Sequence, residues 1–524
     1  MNSDQTSPGE PQLSPDVDVV VVGAGPTGLT AAAEAQRLGL SVRIIERKAD
    51  RGAFSKALVV HARTLEVFET MGIAPDILAQ GVPFAALNIR SAAARRATRV
   101  DLLGLRWGDT AYPYWLSAPQ YATELVLQKH LEALGGAVEW STSLQGFEDV
   151  GDHVTVAIEG QDGPEAVTAR WIIGCDGGQS TVRRLAGIDL KRTGAGTTFL
   201  LADVKTTLDI VEDEGRVFLA PEGLLIIVPM PEPRRWRIIA HVNRAAADPR
   251  TVDATYLDDV IRQRSGLEFG SHDVTWTSQF DLSHGVADRF RKGRVFLAGD
   301  AAHIHSPVGG QGLNTGVQDA HNLMWKIALA HDSTTSAAQQ HLDSYESERR
   351  GTALPMVNGV ARVTALITAR RPLVRRVLGR VAPKVLARRR VHERLGRGVG
   401  MLNLAYATGR GKFGREVGKR LGNPLLGSGE RLYEKLDPTG FTWVAIGDAI
   451  DSLPDTGAPE WRGLPVVLVP AEELAVPSRF SSPSRVILVR PDRYIAAVGS
   501  NPHSIAPEFA SVLGARGDVV EVEV

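Results

Sequence analysis

The stretch Val17–Lys48 reads VDVVVVGAGPTGLTAAAEAQRLGLSVRIIERK. Its opening valines form a β-branched run, which predicts a strand buried on both faces. Gly23, Gly25 and Gly28 follow in G-x-G-x-x-G spacing, and a helical pattern and a second apolar run come after them. A strand, a glycine turn, a helix and a strand in this order predict an α/β fold with a Rossmann-like nucleotide-binding unit.

Each glycine of this turn has a mechanical reason. The first permits the tight turn, the second lets the backbone approach a pyrophosphate, and the third lets the helix pack on the strand. The helix N-terminus supplies N–H donors for the phosphates. Glu46, which closes the second strand, is placed to accept hydrogen bonds from ribose hydroxyls and disfavours a 2′-phosphate. The turn alone does not separate FAD from NAD.

A second stretch, Val295–Ala330, reads VFLAGDAAHIHSPVGGQGLNTGVQDAHNLMWKIALA. Asp300 follows a short strand and Gly299, and therefore lies at the edge where open α/β sheets bind ligands. From Leu313 the apolar residues recur with a helical period, so SPVGGQG ends at a helix N-terminus rich in unpaired N–H groups. Such a terminus suits a group that gains negative charge on reduction. The stretch therefore favours a flavin, and a purely structural glycine loop is the alternative.

Three motifs in this order resemble those of the FAD-dependent aromatic hydroxylases, single-component flavoprotein monooxygenases similar to p-hydroxybenzoate hydroxylase and phenol hydroxylase. They are the first glycine turn with Glu46–Arg47, GCDGGQSTVRR at 174–184, and GRVFLAGDAAH at the start of 293–328. LDSYESERR at 342–350 is similar to the segment that follows in the family. Gly178–Gln179 departs from the Ala–Arg of many relatives, and Lys56 stands where many have an arginine.

The resemblance implies roles for the matched positions. The first turn would hold the ADP half, Asp300 the ribitol, and the 307–314 loop the isoalloxazine. Asp176 would brace the FAD fold and is associated with NAD(P)H use in the family. The residues implied in FAD binding are Gly23, Gly25, Pro26, Thr27, Gly28, Glu46, Arg47, Lys56, Arg63, Gln120, Asp176, Asp300, Pro307, Gly310, Gly312, Leu313 and Asn314.

The resemblance also implies the chemistry: noncovalent FAD, NADPH or NADH as a transient reductant, and O₂. The substrate would be a phenolic or polycyclic, polyketide-like aromatic compound, hydroxylated through a flavin C4a-hydroperoxide in a site that excludes water. Two other interpretations stay open. One is a FAD-dependent oxidase or dehydrogenase on the same scaffold, and the other is a non-catalytic flavin-binding protein.

The acid–base residue, if one exists, is not determined by the sequence. The candidates are His61, Tyr112, His284 and His305, and Tyr114 in YPYWL could add an aromatic wall. A lone histidine is more often structural than catalytic. The flavin and backbone N–H groups could also suffice without any such residue.

The chain divides into segments of different pattern. We expect a disordered tail at 1–15, a discontinuous FAD-binding domain at 16–190 and 285–400, an inserted antiparallel β-sheet substrate domain at 191–284, and a thioredoxin-like α/β domain at 401–524. Residues 86–111 stay open between the first two domains. The C-terminal domain has no C-x-x-C, which excludes thiol–disulfide chemistry.

The composition of the 524 residues, 43% hydrophobic and 23% charged, is that of an ordinary globular protein. The net charge of −1 gives no general attraction to nucleic acid or anionic membranes. Cys175 is the only cysteine, which excludes an intrachain disulfide and a cysteine-based zinc site and is typical of the cytoplasm. No run is apolar and long enough to span a membrane.

Residues 361–400 are strongly basic, which favours a solvated face over a nucleic-acid or membrane surface. A homodimer is compatible with the sequence, and no metal is expected.

Overall fold

The computed structural model describes residues 15–52, 57–91, 97–105, 107–194, 198–242, 252–306, 309–331, 336–367, 385–386, 388–407, 416–447, 464–470 and 485–500. Three subjects of prediction lie wholly or mainly outside these ranges: the N-terminal tail, Lys56 and Pro307. The end of the expected C-terminal domain, 501–524, also lies outside them. The middle of the basic stretch, 368–384, also lies outside them. Within the described part of the chain, no helix has both the length and the apolarity to cross a membrane.

The described secondary structure comprises strands, α-helices and two short 3₁₀ turns, at Gly299–Ala301 and Leu432–Lys435. The strands are β1 Val17–Val22, β2 Val42–Glu46, β3 Val59–Val60, β4 Val82–Pro83, β5 Ala86–Ser91, β6 Thr98–Asp101, β7 Leu116–Ser117, β8 Val138–Trp140, β9 Ser143–Asp149, β10 Val154–Gly160, β11 Gly163–Gly174, β12 Thr198–Thr206, β13 Glu214–Ala220, β14 Gly223–Pro229, β15 Arg235–Val242, β16 Ser271–Asp281, β17 Gly285–Val286, β18 Arg291–Lys292, β19 Val295–Leu297, β20 His303–Ile304, β21 Thr442–Ile446, β22 Val466–Val469, β23 Arg485–Val489 and β24 Ile495–Gly499. The helices are α1 Pro26–Arg37, α2 Ala62–Thr70, α3 Ala74–Leu78, α4 Gln120–Ala133, α5 Thr181–Leu185, α6 Ala254–Ser265, α7 Gly312–His331, α8 Ser336–Ile367 and α9 Arg389–Val399.

The first sheet has the order β18-β19-β11-β1-β2-β8, with β10 and β9 attached to β11. Its centre is parallel, because β1 pairs with β2 on one side and β11 on the other, and β11 pairs with β19. Val19 to Val22 are buried, as the β-branched run predicts for a central strand covered on both faces. The predicted strand, turn, helix and second strand are all present.

Helices α1 and α7 pack against each other beside this sheet. The α1 face is lined by small residues, Ala31 to Ala33 and Ala35, which are buried and allow close approach. In α7, every side chain from Asn314 to Leu329 is buried. A helix buried all round lies inside the molecule, so α7 is an internal helix. This arrangement carries the N-terminus of α7 to the end of β19.

The second sheet has the order β16-β12-β15-β14-β13-β5-β6. Strands β5 and β6, from the 86–111 stretch, belong to it. The pairings among β12 to β16 are antiparallel, as predicted for 191–284, whereas β5 runs parallel to β13. A parallel pair requires a long crossover, which the chain between β5 and β13 supplies by passing through the first sheet. One face packs on α6 through Leu200, Ile227 and Trp236; the other faces the flavin domain.

The C-terminal sheet has the order β22-β21-β23-β24. Strand β21 is parallel to β22 and antiparallel to β23, which is antiparallel to β24. It packs on α7, where the rings of Trp325 and Phe441 meet edge to face at 5.7 Å. The connections at 448–463 and 471–484 lie outside the described ranges, so the thioredoxin-like assignment stays a prediction.

Candidate functional site

The three glycines of the first turn differ in how much space surrounds their α-carbons, and only Gly25 faces an opening. A β-carbon placed at Gly23, whose φ is +103°, would lie 2.6 Å from the Cys175 carbonyl oxygen. At Gly28 it would lie 1.8 Å from the Gly23 carbonyl oxygen. At Gly25 it would meet none of the described atoms within 4 Å. The first and third glycines are therefore steric requirements of the fold, and the second faces open space of the kind a pyrophosphate needs.

Helix α1 begins directly behind this opening. Gly25 is its N-cap and supplies no side-chain cap, and Pro26 occupies the first helical position. The first N–H groups of a helix have no intrahelical acceptor, so they are available to an anion. Thr27 packs against the second turn, because its Oγ1 would lie 2.5 Å from a β-carbon at Gly299 and 2.2 Å from one at Gly316.

Glu46 joins the end of β2 to the glycine turn. Its Oε2 accepts a hydrogen bond from the Ala24 N–H at 2.9 Å, and its Oε1 accepts one from the Lys48 N–H at 3.1 Å. The carboxylate thus lies beside the opening at Gly25 and braces the turn. Arg47 is exposed next to it. The ribose contact expected of Glu46 stays a prediction.

Asp176, two residues after the end of β11, borders the same turn. Its Oδ2 accepts from the N–H groups of Thr181 at 2.6 Å and Val182 at 3.1 Å, which holds the start of α5. Its Oδ1 is buried and finds no donor among the described residues. A buried carboxylate oxygen without a donor is costly. It is therefore a candidate acceptor for a ligand hydroxyl or for water.

The second turn places Asp300 at the N-terminus of α7. The 3₁₀ turn Gly299–Ala301 follows β19 directly, and Asp300 is exposed on it. The Asp300 Oδ1 would lie 3.9 Å from a β-carbon at Gly312, the first residue of α7. A carboxylate and a helix N-terminus therefore share one edge of the parallel sheet with the first glycine turn.

The loop ahead of α7 is held by Asn314. Gly309 and Gly310 have φ of +89° and +63°, a left-handed conformation that favours glycine. The Asn314 Nδ2 donates to the carbonyls of Gly310 at 2.7 Å and Val59 at 2.8 Å, and its Oδ1 accepts from the His61 N–H at 2.8 Å. The buried amide therefore shapes the loop, and only its first-turn N–H stays open to a ligand. Leu313 is half-buried beside it.

The His61 side chain contacts this loop at Gly309. It is fully buried, its Nε2 lies 2.7 Å from the Gly309 carbonyl oxygen, and its ring meets Trp115 edge-on at 5.4 Å. Burial lowers the pKa of His61 to about 4, although the Gly309 carbonyl opposes this. The ring is therefore neutral at physiological pH and donates from Nε2 to Gly309.

Two other candidate histidines lie near the second turn. The His305 Nδ1 faces the Ser306 carbonyl oxygen at 2.8 Å, and its buried Nε2 has no partner within the described ranges. A β-carbon at Gly312 would lie 3.8 Å from this Nε2. The His284 backbone pairs with Thr193 in a β-bridge. Burial lowers the pKa of both histidines.

Tyr112 and Arg63 lie beside acidic residues of α2. Burial, with the charge of Glu69, raises the pKa of Tyr112. The Arg63 guanidinium donates to the Glu66 Oε2 at 3.0 Å and to the Asp492 carbonyl at 2.7 Å, and it is 1% exposed. Arg63 therefore faces the C-terminal sheet, because Glu66, one helical turn away, supplies its counter-charge. The expected role of Arg63 in FAD binding stays a prediction.

Gln120 begins α4, and both ends of its amide are occupied. Its Oε1 accepts from the Ala57 N–H at 3.3 Å, and its Nε2 donates to the Glu124 Oε1 at 2.8 Å. The side chain thus holds the backbone at Ala57 against the start of α4. Its expected contact with the flavin chain stays a prediction.

Asp319 is a site residue that sequence reasoning missed. Its Oδ2 accepts from the Gly299 N–H at 3.0 Å and lies 2.6 Å from the His303 Nε2. Its Oδ1 accepts from the Arg349 Nε at 2.7 Å. All three side chains are fully buried. The available signal was an acid inside an apolar helical pattern, which requires a buried partner.

The second sheet presents an apolar face toward the flavin domain. We call it the inner face; its half-buried residues are Val217, Leu219, Ile226, Ile239, His241 and Phe280. Phe199, which is fully buried, stacks on the Phe280 ring at 6.3 Å. Asp203 and Arg237 form a buried ion pair on the same face, at 2.7 Å. Half-buried apolar and aromatic side chains are typical of a site for a planar apolar ligand.

No group of three or more His, Cys, Asp or Glu side chains suited to a metal ion occurs in the described ranges. The two turns fit a dinucleotide, because Gly25 faces open space at the α1 N-terminus, the α7 N-terminus offers backbone N–H groups, and the Asp176 Oδ1 has no donor among the described residues. The fold and these turns thus define a FAD-binding α/β protein. Residues 16–360 match the FAD binding domain family, and the chain belongs to that family.

Its relatives are aromatic monooxygenases. The chain is 36% identical to 6-methylpretetramide 4-monooxygenase of Streptomyces rimosus, over 75% of this chain and 71% of that protein. It is 32% identical to rifampicin monooxygenase of Streptomyces venezuelae, over 95% and 99%. The solved structure of OxyS anhydrotetracycline hydroxylase from Streptomyces rimosus superposes with a TM-score of 0.76 at 30% identity, over 95% of this chain and 98% of that one. The predicted family is confirmed, and the protein is a flavin-dependent aromatic monooxygenase.

Proposed function

We propose that the chain binds FAD noncovalently between its two turns and hydroxylates a phenolic or polycyclic, polyketide-like aromatic compound. NADPH or NADH would be the reductant and O₂ the oxygen donor. One observation carries the proposal: the opening at Gly25 and the N-terminus of α7 lie at the same edge of one parallel sheet. That edge is where doubly wound sheets bind dinucleotides.

Different residues of the chain would bind different parts of the cofactor. The opening at Gly25 and the first N–H groups of α1 would take the pyrophosphate, and Glu46 the adenosine ribose. Asp300 would accept from the ribitol hydroxyls, and the N–H groups ahead of Leu313 would face the ring system. Bound FAD supplies the redox chemistry, in which one oxygen atom of O₂ enters the aromatic ring.

The inner face would orient the substrate and keep water away. Its apolar side chains favour burial of a planar ring over solvation, and Phe280 offers a stacking surface. The Arg237 guanidinium also donates to the Ala57 carbonyl at 3.2 Å, so the ion pair with Asp203 ties the sheet to the flavin domain. The names of two curated relatives, 6-methylpretetramide and anhydrotetracycline monooxygenases, support a large aromatic substrate.

Among the four acid–base candidates, His305 fits the site best. Its Nδ1 donates to the Ser306 carbonyl, which leaves Nε2 as a lone-pair acceptor at the N-terminus of α7. We propose that this Nε2 takes the proton that the phenol loses. The His61 Nε2 is already bonded to the Gly309 carbonyl, and burial beside Glu69 raises the pKa of Tyr112.

Stopped-flow reduction and product analysis test the proposal. The purified protein should be yellow, and NADPH or NADH should reduce its flavin faster when a substrate phenol is present. Under ¹⁸O₂, the product should carry one labelled oxygen atom. Phe280→Ala should raise the KM for the phenol, while Leu267→Ala, a matched change on the α6 side, should leave KM unchanged. Reduction without labelled product for any member of a phenol and polycyclic panel would overturn the proposal in favour of an oxidase.

A further inference from the structure

A continuous series of buried polar side chains joins the Gly299 turn to the C-terminal sheet. All of its members are at most 8% exposed, and none of them is among the residues proposed above to contact FAD. We call it the polar chain; its members are Asp319, Arg349, Tyr406, Asn322, Glu348, Lys326, Asp492 and Arg490.

At the flavin end, Arg349 and Asp319 hold two backbone segments at once. Asp319 accepts from the Gly299 N–H, and the Arg349 Nη2 donates to the Thr315 carbonyl in the first turn of α7 at 3.2 Å. The two side chains are joined by the 2.7 Å bond from the Arg349 Nε. The pair therefore determines how the Gly299 turn and the α7 N-terminus lie relative to each other. These are the segments that would contact the ribitol and the ring system.

In the middle, Tyr406 receives hydrogen bonds from both sides. Its hydroxyl accepts from the Arg349 Nη1 at 3.2 Å and from the Asn322 Nδ2 at 3.4 Å. The Tyr406 ring stacks on Tyr494 with centroids 4.2 Å apart. The Asn322 Nδ2 also donates to the Asp492 Oδ2 at 3.0 Å. The position of Arg349 thus depends on side chains of the C-terminal segment.

At the far end, Arg490 bridges two carboxylates. It donates to the Glu348 Oε1 and to the Asp492 Oδ2, each at 2.6 Å. Lys326 adds a 2.8 Å bond to the Glu348 Oε2. Arg490 and Asp492 belong to the tight turn between β23 and β24, which is closed by the bond from the Arg490 N–H to the Tyr494 carbonyl at 2.9 Å.

The charges in the polar chain are balanced: three carboxylates face Arg349, Lys326 and Arg490. Buried ion pairs add little net stability over apolar packing of the same volume, but removal of one partner leaves an uncompensated charge. The arrangement is therefore better explained by geometry than by stability. We propose that Asp492 and Arg490 are positioning residues, which act through the polar chain to hold the flavin-binding turn at Gly299. The proposal rests on FAD binding between the two turns.

FAD titration of the apoprotein tests the proposal, because the FAD dissociation constant depends on the geometry of the Gly299 turn and is measured without catalysis. Asp492→Asn should raise the dissociation constant about 3- to 30-fold, the range expected for coupling through a packed network. Asp319→Asn should raise it as well. Because both changes act on the same turn, the double variant should be no weaker than Asp319→Asn alone. Effects that multiply would overturn the proposal.

A second buried ion cluster at the same domain contact provides the matched control. Arg420 pairs with the Glu66 Oε1 at 2.9 Å and the Asp109 Oδ2 at 2.6 Å and is not a member of the polar chain. Arg420→Gln should lower thermal stability and leave FAD affinity within twofold of wild type. An equal loss of affinity in this control would overturn the proposal. If Asp492→Asn does not fold, Arg490→Lys takes its place with the same expectation. A wild-type chain that binds no FAD would instead refute the proposed function.

Discussion

The opening at Gly25 leads to a prediction about a single methyl group. Gly25 has φ of −76°, which an alanine adopts without strain, and a β-carbon there meets none of the described atoms within 4 Å. Gly25→Ala should therefore fold. The methyl group would occupy the space that a pyrophosphate needs and displace it from the α1 N-terminus. Loss of one or two charge-assisted hydrogen bonds, each worth about 1.5–3 kcal/mol, raises the FAD dissociation constant roughly 10- to 10⁴-fold.

The assay is quenching of flavin fluorescence during titration of the apoprotein, with circular dichroism to confirm folding. Gly146→Ala is the matched control. A β-carbon at Gly146 also meets none of the described atoms within 4 Å, but Gly146 belongs to β9 and not to the glycine turn. Its FAD affinity should equal that of wild type. A Gly25→Ala protein that binds FAD within twofold of wild type would refute the assignment of the turn.

Three further predictions concern stability, measured by urea unfolding. Burial lowers the pKa of His61 to about 4, so the neutral ring stabilises the folded protein fully above pH 6.5, and about 3 kcal/mol of unfolding free energy is lost as pH falls to 4. His61→Phe should reduce this dependence of the unfolding free energy on pH. An unchanged dependence would contradict the prediction. Burial and Glu66 raise the pKa of Glu69 to about 7, so stability should fall by about 1 kcal/mol as pH rises from 4.5 to 7, but not in Glu69→Gln. Asp203→Ala leaves the Arg237 charge uncompensated and should cost about 3–5 kcal/mol, whereas Asp203→Leu with Arg237→Met should recover most of it; equal losses would show that the pair is not coupled.

Local patterns were enough to predict the first glycine turn, α1, the start of α7 and the aromatic hydroxylase family. A β-branched run, glycine spacing and a helical period each reflect the conformation of a few neighbouring residues, and those residues carry that information wherever the chain places them. The position of Asp300 at the end of a strand was predictable for the same reason, because it directly follows a strand and a glycine.

The partners of Asp319, the direction of Arg63 and the parallel pairing of β5 with β13 were not predictable in this way. Each depends on which distant segment supplies a partner. Arg349 supplies the counter-charge of Asp319, the backbone carbonyl of Asp492 accepts from Arg63, and β13 supplies the strand edge for β5. Such contacts are selected by the packing of the whole core. A buried charge indicates only that a partner must exist, because any nearby donor of the right charge would satisfy it.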